Sequence, residues 1–475
     1  MVKNDKFKKF QVFTPIRIVN DMLDSIGYCG IKIIGKSFLE NSFGEGVVLL
    51  ESVKRYIEVA KSVDLSRNEI ANQLSGLFCG YEIDKKLYDS TIQKLNMLIK
   101  SSDIGAVDWS LYNEDFLTSD LKQNFDYIVG NPPYIKYQEI DGNVRSILKS
   151  TFESCKSGKF DYCYPFIEKS IDLTSEQGKM AYLVPSSIFK NVFAKRLRKL
   201  MLPSLYRIED FSGNSLFSDA TTASAIIYFN RGYSTEKLEY ATGNNQRVLQ
   251  KTALSQDKWI FEIKGSKSSG KRFGDYFRVQ NSPATLRNSI FVHKVEKTGI
   301  DYLLERGEKI EQKILLDAFS AGSISRGERL KIIFPYKRIG SKAEKMTEEE
   351  LSQNYPLALS YLKMHRRELS KRAVDKSMSW FEFGRSQGLS NIFSEKIILS
   401  SVLTHSVNPT LLSDVEIPFS GFYITQKRDL SLQQGMKILE NSEMKDYLLS
   451  VGISVNGKSK RLSVKDIEDY HFRSN

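Results

Sequence analysis

Between residues 13 and about 229 the chain switches repeatedly between two spacings of apolar residues. Positions three and four apart mark helices, and short continuous apolar runs mark buried strands, so their alternation predicts a parallel α/β sheet. Ile18, Met22 and Ile26 fall on one helical face. Thr14 offers a hydroxyl N-cap to that helix, Pro15 suits its first position and Gly27 its end. Residues 31–39 read as a buried strand running into the loop Phe43-Gly44-Glu45-Gly46, and Leu49, Val53, Tyr56, Ile57 and Ala60 mark the amphipathic helix after it. Residues 64–75 suggest an inserted helix ahead of a strand over 77–83. A further strand, 126–129, ends at Asn131-Pro132-Pro133-Tyr134; a helix over 161–173 and strands over 180–184 and 223–229 complete the pattern.

Past Gly232 this rhythm stops. Short polar segments, basic clusters and aromatics alternate, with a helix expected over 347–372 and several strands. Gly243-Asn244-Asn245 suggests a linker, placing the boundary between about 232 and 258 and two domains at 1–235 and 236–475. No internal repeat is visible. The 475 residues are 41% hydrophobic and 27% charged, a globular balance, and carry a formal charge of +12, which favours a polyanionic partner through counterion release. Cys29, Cys79, Cys155 and Cys163 form no CxxC pair and lie far from the four histidines, so neither a metal site nor a disulfide framework is expected. No run approaches the ~18 apolar residues of a membrane span and the basic N-terminus has no apolar stretch, so a cytoplasmic protein off the membrane is expected.

The ring delocalises the lone pair of an adenine exocyclic amine, which makes the nitrogen a poor nucleophile. A site that alkylates it must accept from both N–H groups and draw the nitrogen toward tetrahedral geometry. The Asn131 carboxamide oxygen and the Pro132 carbonyl are acceptors that cannot act as competing bases. Pro132 and Pro133 fix φ and stiffen the backbone that carries them, and Tyr134 adds an aromatic face for a base rotated out of a duplex. Gly44 and Gly46 let a backbone approach a ligand at a helix N-terminus. Glu82, at the end of a strand, can take both hydroxyls of a ribose; it lies further from the glycines than the ~20 residues of nucleotide folds, consistent with the inserted helix. Asp115 can accept from an adenine amine, and Phe116 beside it can stack on the ring. Each alone is also compatible with a turn, a surface acid or a core ring. Their order along the chain fits one ligand.

In this order the motifs resemble the γ-class DNA adenine-N6 methyltransferases of restriction–modification systems, the TaqI-like group. The resemblance is specific over residues 11–232 and loose beyond. It implies S-adenosylmethionine as cofactor and a doubly wound, mostly parallel sheet of the class I methyltransferase type, followed by a mixed α+β target-recognition domain. Phe13-Thr14-Pro15 is similar to a segment whose threonine contacts the methionine carboxylate of the cofactor. Glu40-Asn41-Ser42-Phe43-Gly44-Glu45-Gly46 matches the glycine-loop motif, with Asn41 where the family usually has proline. The resemblance assigns Glu82 to the ribose, Asp115-Phe116 to the adenine and Asn131 to Tyr134 to catalysis. Val184-Pro185-Ser186-Ser187 followed by Phe193 is similar to the segment that stacks an aromatic on the other face of the flipped base. The spacing is about one residue short, which leaves Phe189 open. Trp380-Phe381-Glu382-Phe383-Gly384-Arg385 looks like a recurrent feature of the recognition domains.

The resemblance implies a site-specific enzyme acting on double-stranded DNA, expected as a monomer, with RNA or protein amine methylation and a non-catalytic DNA-specificity subunit as the alternatives. Phosphate contacts are expected among Lys195, Arg196, Arg198 and Lys199, then Lys264, Lys267, Lys271 and Arg272, Arg366, Arg367, Lys371 and Arg372, and Lys458, Lys460 and Arg461. Arg385, in the Gly384–Gly388 loop, is the candidate for reading base edges. Almost nothing precedes Phe13, so no N-terminal nuclease is expected; a separate cognate restriction endonuclease is compatible with this reading.

Overall fold

The computed structural model describes residues 14–211, 223–243, 245–254, 258–265, 270–305, 307–372, 378–455 and 459–473. Phe13, Asn244, Lys267 and Lys458, singled out above, lie outside them. The chain divides into two compact units, Met1–Phe261 with Ser454–Lys458, and Glu262–Ile453 with Ser459–Asn475.

Among the described residues of the first unit, nine strands share one sheet: β1 (Phe38–Glu40), β2 (Phe78–Tyr81), β3 (Ser110–Tyr112), β4 (Phe125–Gly130), β5 (Thr174–Pro185), β6 (Leu205–Asp210), β7 (Ser224–Asn230), β8 (Lys237–Thr242) and β9 (Asn245–Gln250). Their order is β3-β2-β1-β4-β5-β7-β6-β8-β9. The first five in that order run parallel, whereas β7 is antiparallel to both β5 and β6, so the sheet is mixed. Among the described residues seven α-helices accompany it: α1 (Ile16–Ser25), α2 (Val47–Ser62), α3 (Arg67–Leu77), α4 (Lys85–Ser101), α5 (Gly142–Thr151), α6 (Cys163–Leu173) and α7 (Lys195–Met201).

The period-two direction of strand side chains sorts the core into two layers. Phe38, Phe78, Leu111, Tyr127, Val129, Ala181 and Leu183 pack with α1 to α4, while their neighbours Leu39, Cys79, Ile128, Met180 and Tyr182 pack with α5, α6 and α7. Both faces are thus covered, as the near-continuous apolar strands require. The parallel strands also bring the carboxyl ends of β1 to β4 to one edge. There, strand order turns from leftward (β1 to β2 to β3) to rightward (β4 to β5), the position where open α/β sheets bind ligands.

Several expectations are corrected. Residues 31–39 are not one strand: Gly30–Ile33 is a 3₁₀ turn, Gly35 has φ of +72°, and only Phe38–Glu40 is extended. A largely exposed turn, with only Ile33 buried, and a buried strand share the same unpatterned apolar run, and the left-handed glycine decides between them. Thr14 does not cap α1; Pro15 holds the cap position with no side-chain cap bond. The stretch at Gly243 is no linker, because β8 and β9 pair antiparallel there, Thr242 opposite Asn245, with Gly243 at φ of +56°. The first unit extends past residue 235 to Phe261, whose ring stacks on Tyr240 at 4.1 Å and meets Phe189 edge-on at 5.2 Å.

The second unit is built from small sheets and short helices, a mixed α+β arrangement. Phe277–Asn281, Phe422–Gln426, Lys396–Leu399 and Thr410–Leu412 form an antiparallel sheet in that spatial order. The helix expected over 347–372 is three: Glu348–Asn354, Pro356–Met364 and Arg366–Leu369. Thr347 caps the first through Glu350 N at 3.1 Å, and the break falls at Tyr355 because a residue before proline is driven out of the helical region. No helix among the described residues is long and apolar enough to cross a membrane.

Candidate active site

The site grows from four strand ends in the first unit. β1 ends at Glu40, which is 3% exposed, and its Oε2 accepts from Leu49 N at 2.9 Å. Gly46, the N-cap of α2, has no side chain to offer, so this buried carboxylate takes the capping role at the third helical position. Burial holds the Glu40 carboxyl well above the usual carboxylate range, and the bond from Leu49 opposes that shift. The loop to α2 is tight. Gly44 has φ of +53° and Gly46 φ of +76°, and Gly46 N donates to Phe43 O at 2.7 Å.

The two loop glycines differ in what surrounds them. A Cβ on Gly44 would meet nothing within 4 Å, and Gly44 lines a cavity at the strand ends. A Cβ on Gly46 would lie 2.3 Å from Thr91 Cγ2 on α4. Gly44 therefore faces open space in that cavity, whereas Gly46, expected to face a ligand, is a packing glycine pressed against a neighbouring helix.

β2 delivers Glu82, 6% exposed, to the same cavity. Its Oε2 accepts from Gly44 N and its Oε1 from Asp84 N, both at 2.8 Å, so the acid is tied to the glycine loop and to the start of α4. Burial raises its pKa, the two backbone bonds oppose this, and the charge of Asp84 adds to the rise. After β3, Asp115 accepts from Leu117 N at 3.0 Å and opens a single 3₁₀ turn, Phe116–Thr118. Burial raises the Asp115 pKa as well, while its hydrogen bonds and the charge of Lys169 pull the other way. Lys169 on α6 sits 4.6 Å from the centroid of the Phe116 ring and donates to Phe116 O and Ser119 O at 2.5 and 2.8 Å.

β4 ends in Asn131-Pro132-Pro133-Tyr134, and all four line the cavity with Gly44, Glu82 and Asp115. Asn131 Nδ2 donates to Thr14 Oγ1 at 3.1 Å, and Ser42 Oγ donates to the Asn131 carbonyl at 3.2 Å. The amide is thereby oriented from one side by the segment before α1 and its backbone from the other by the glycine loop. Tyr134 is 8% exposed, and burial pushes its phenol well above its ordinary pKa, so it stays neutral. Thr14 lines this cavity instead of capping α1. Sequence reasoning missed Ser42 and the aromatic wall of Tyr81, Tyr162 and Phe166 in the cavity lining, and Lys169 behind Phe116. Among the described residues no cluster of His, Cys, Asp and Glu is placed to hold a metal ion.

Other expected residues lie elsewhere. Phe193 is 39% exposed and is not part of the cavity wall; its ring lies over Gly158, where an added Cβ would meet it at 2.2 Å. Phe189, the alternative, is 1% exposed and stacks at 6.2 Å on Trp259, so it belongs to the core. Lys195 is exposed, and Arg196 pairs with Glu153. Arg198 is not a surface cation: it is 1% exposed, and its Nη1 donates to Ile188 O and Asn191 O at 2.7 and 2.8 Å. Arg372 is likewise buried, donating to the carbonyls of Thr285, Leu369, Trp380 and Glu382. Phe381 and Phe383 are core residues of the second unit. Arg385 is half-buried, with its backbone N bonded to Ala284 O at 3.1 Å, whereas Ser386 and Gln387 beside it are exposed.

The profile of the family described as Eco57I restriction-modification methylase matches residues 60–217. The type II restriction enzyme and methyltransferase RM.Eco57I of Escherichia coli is 22% identical over 85% of this chain, which spans 50% of that protein. The type II methyltransferase M.BstVI of Geobacillus stearothermophilus is 24% identical over 78% of this chain and 73% of its own. Among solved structures, the type IIL restriction-modification enzyme MmeI, determined in complex with DNA, superposes over 98% of this chain and 65% of its own with a TM-score of 0.60 at 13% identity, a likeness of fold. Over residues 60–217, then, the chain is similar to the Eco57I restriction-modification methylase family, and its wider relatives are type II methyltransferases.

Proposed function

We propose that the chain is a site-specific DNA adenine-N6 methyltransferase using S-adenosylmethionine, the modification enzyme of a restriction–modification or related defence system. The observation that carries this reading is that Asn131-Pro132-Pro133-Tyr134, Gly44, Glu82 and Asp115 surround one cavity at the strand ends. The donor and acceptor set fits the cofactor. Glu82 has its carboxylate pinned by two backbone N–H groups with lone pairs remaining for a ribose diol. Asp115 and Phe116 offer an acceptor and a ring for an adenine.

Bound there, the cofactor supplies a methyl group on a positively charged sulfur, a good leaving group. The chain's own residues act on the other partner. The Asn131 carboxamide, oriented by Thr14, and the Pro132 carbonyl accept the amine N–H groups of a flipped adenine and localise its lone pair. Tyr134 stacks the base from one side, and Phe193 is the aromatic this reading assigns to the other. The surplus of +12 and the second unit suit a duplex DNA partner, with Lys195, Arg196 and Arg385 as candidate contacts.

Tritium transfer from labelled S-adenosylmethionine to duplex DNA, RNA and protein, followed by nucleoside analysis, tests it. The label should enter DNA as N6-methyladenine. Asn131→Ala should still bind S-adenosylhomocysteine while transfer falls at least ~100-fold, the scale of losing one aimed transition-state group. Label in RNA or protein alone, or full activity in that variant, would sink the reading.

A further inference from the structure

Asn41 stands in the glycine loop between Glu40 and Ser42, 1% exposed, and forms part of the cavity wall. Its Nδ2 donates to Ser170 Oγ at 2.8 Å, and Ser170 Oγ is in turn 2.8 Å from the Tyr182 hydroxyl. With its nitrogen committed to that chain, the carboxamide has a fixed orientation. Its Oδ1 is buried and has no hydrogen-bond partner among the described residues. A buried acceptor left so is unfavourable, and a ligand donor would relieve it. The oxygen lies beside the last residue of β4, 3.5 Å from where a Cβ on Gly130 would be.

Strand order says which donor. The sheet runs β3-β2-β1-β4, and on the reading above Asp115 after β3 takes the adenine and Glu82 after β2 takes the ribose. A ligand laid across consecutive strand ends in that order brings its amino-acid end to β1 and β4. The adenine amine and the ribose hydroxyls are then already taken, and the donor that remains is the α-ammonium. We propose that Asn41 is a cofactor-binding residue whose Oδ1 accepts from the α-ammonium of S-adenosylmethionine. The proposal rests on the assignment of this cavity to that cofactor.

Isothermal calorimetry with two product-like ligands separates the alternatives. S-adenosylhomocysteine carries the ammonium, and 5′-methylthioadenosine has the same nucleoside without the amino-acid group. Asn41→Leu should weaken S-adenosylhomocysteine roughly tenfold or more, as for a lost hydrogen bond to a charged group, and leave methylthioadenosine within about twofold. Asn41→Asp, which keeps an acceptor in place, should retain S-adenosylhomocysteine. Ser170→Ala, which frees the amide to turn, should weaken S-adenosylhomocysteine by less than Asn41→Leu does and leave methylthioadenosine within about twofold. Equal weakening of both ligands by Asn41→Leu, no weakening of either, or loss of S-adenosylhomocysteine by Asn41→Asp overturns the proposal. A wild-type chain that binds neither ligand overturns the cofactor reading itself, a result distinct from all of these.

Discussion

Glu82 shows how one side chain serves both loop and ligand. Its two oxygens already accept from Gly44 N and Asp84 N, so a glutamine there offers one acceptor and one donor to two backbone donors, and its own N–H must face one of them. Glu82→Gln should therefore weaken S-adenosylhomocysteine and 5′-methylthioadenosine together by about tenfold or more, since both carry the ribose. The pH dependence has a definite sign. The ionised carboxylate is the accepting form, and burial raises the pKa of Glu82, so affinity is complete at higher pH and falls on acidification above the ordinary carboxylate range. Asp115, raised for the same reason, shares that limb, so Glu82→Gln should make it shallower and leave the part due to Asp115. Calorimetry across pH checks both; unchanged affinity in the variant would remove the ribose role. Glu82, Gly44, Asp115 and the Asn131 motif were legible in the sequence because each follows the carboxyl end of a strand and parallel strands end on one edge. Tyr162 and Phe166 were not, because they reach the cavity only through the docking of α6, which periodicity does not fix. Arg198 was misread for a related reason: a run of basic residues on α7 does not say which one points inward.

The glycine loop is where the energetics of an element can be separated from those of the ligand. Gly46→Ala meets two costs at once, a left-handed φ of +76° and a Cβ 2.3 Å from Thr91 Cγ2. Together these should destabilise the first unit by roughly 2–5 kcal/mol. Gly44→Ala meets only the first, because nothing lies within 4 Å of its Cβ, and should lose roughly 1–2 kcal/mol of stability. Urea unfolding checks the order, and Thr91→Ala should recover part of the loss for Gly46→Ala and none for Gly44→Ala. Equal losses in the two single variants would contradict the packing difference. A second element gives a pH test in the other unit. Lys396 is fully buried in a central strand, donates to Ser413 O and Glu416 O at 2.8 Å, and burial brings its pKa down to about 8. A lysine depressed in the folded state contributes stability that is complete above its unfolded pKa of about 10.4 and is lost as pH falls toward its folded value. Between those limits the second unit should gain stability with rising pH, and Lys396→Met should abolish that slope in the melting temperature. The elements themselves were read unevenly. β4 and α2 carry apolar patterns and emerged in place, whereas β5 starts at Thr174, ahead of the apolar run expected as the strand, the turn at Gly30–Ile33 imitated a strand and Pro356 divided an otherwise uninterrupted helical pattern.

At the scale of the whole molecule, composition and topology speak to different things. A drop in βα rhythm marks where parallel winding ends, not where a unit ends, which is why the first unit runs on from residue 235 to Phe261 through an antiparallel hairpin and an aromatic seal. Net charge, in turn, speaks of partners and not of fold. If the +12 surplus serves duplex DNA, log affinity of the full chain should fall linearly with log salt, and each phosphate contact removed should lower the slope by ~1. The structure sorts the basic residues for this measurement. Lys195 is exposed on α7 and Lys195→Ala should reduce the slope. Arg198, on the same helix, is buried and bonded to two carbonyls, so Arg198→Met should leave the slope unchanged and instead lower stability, by about 1–3 kcal/mol for each buried carbonyl it strands. Two cations three residues apart would then separate into one that steers the partner and one that holds the turn at Ile188–Asn191. Binding to duplex that does not respond to salt would defeat the polyanion reading at its root, whatever the cavity binds.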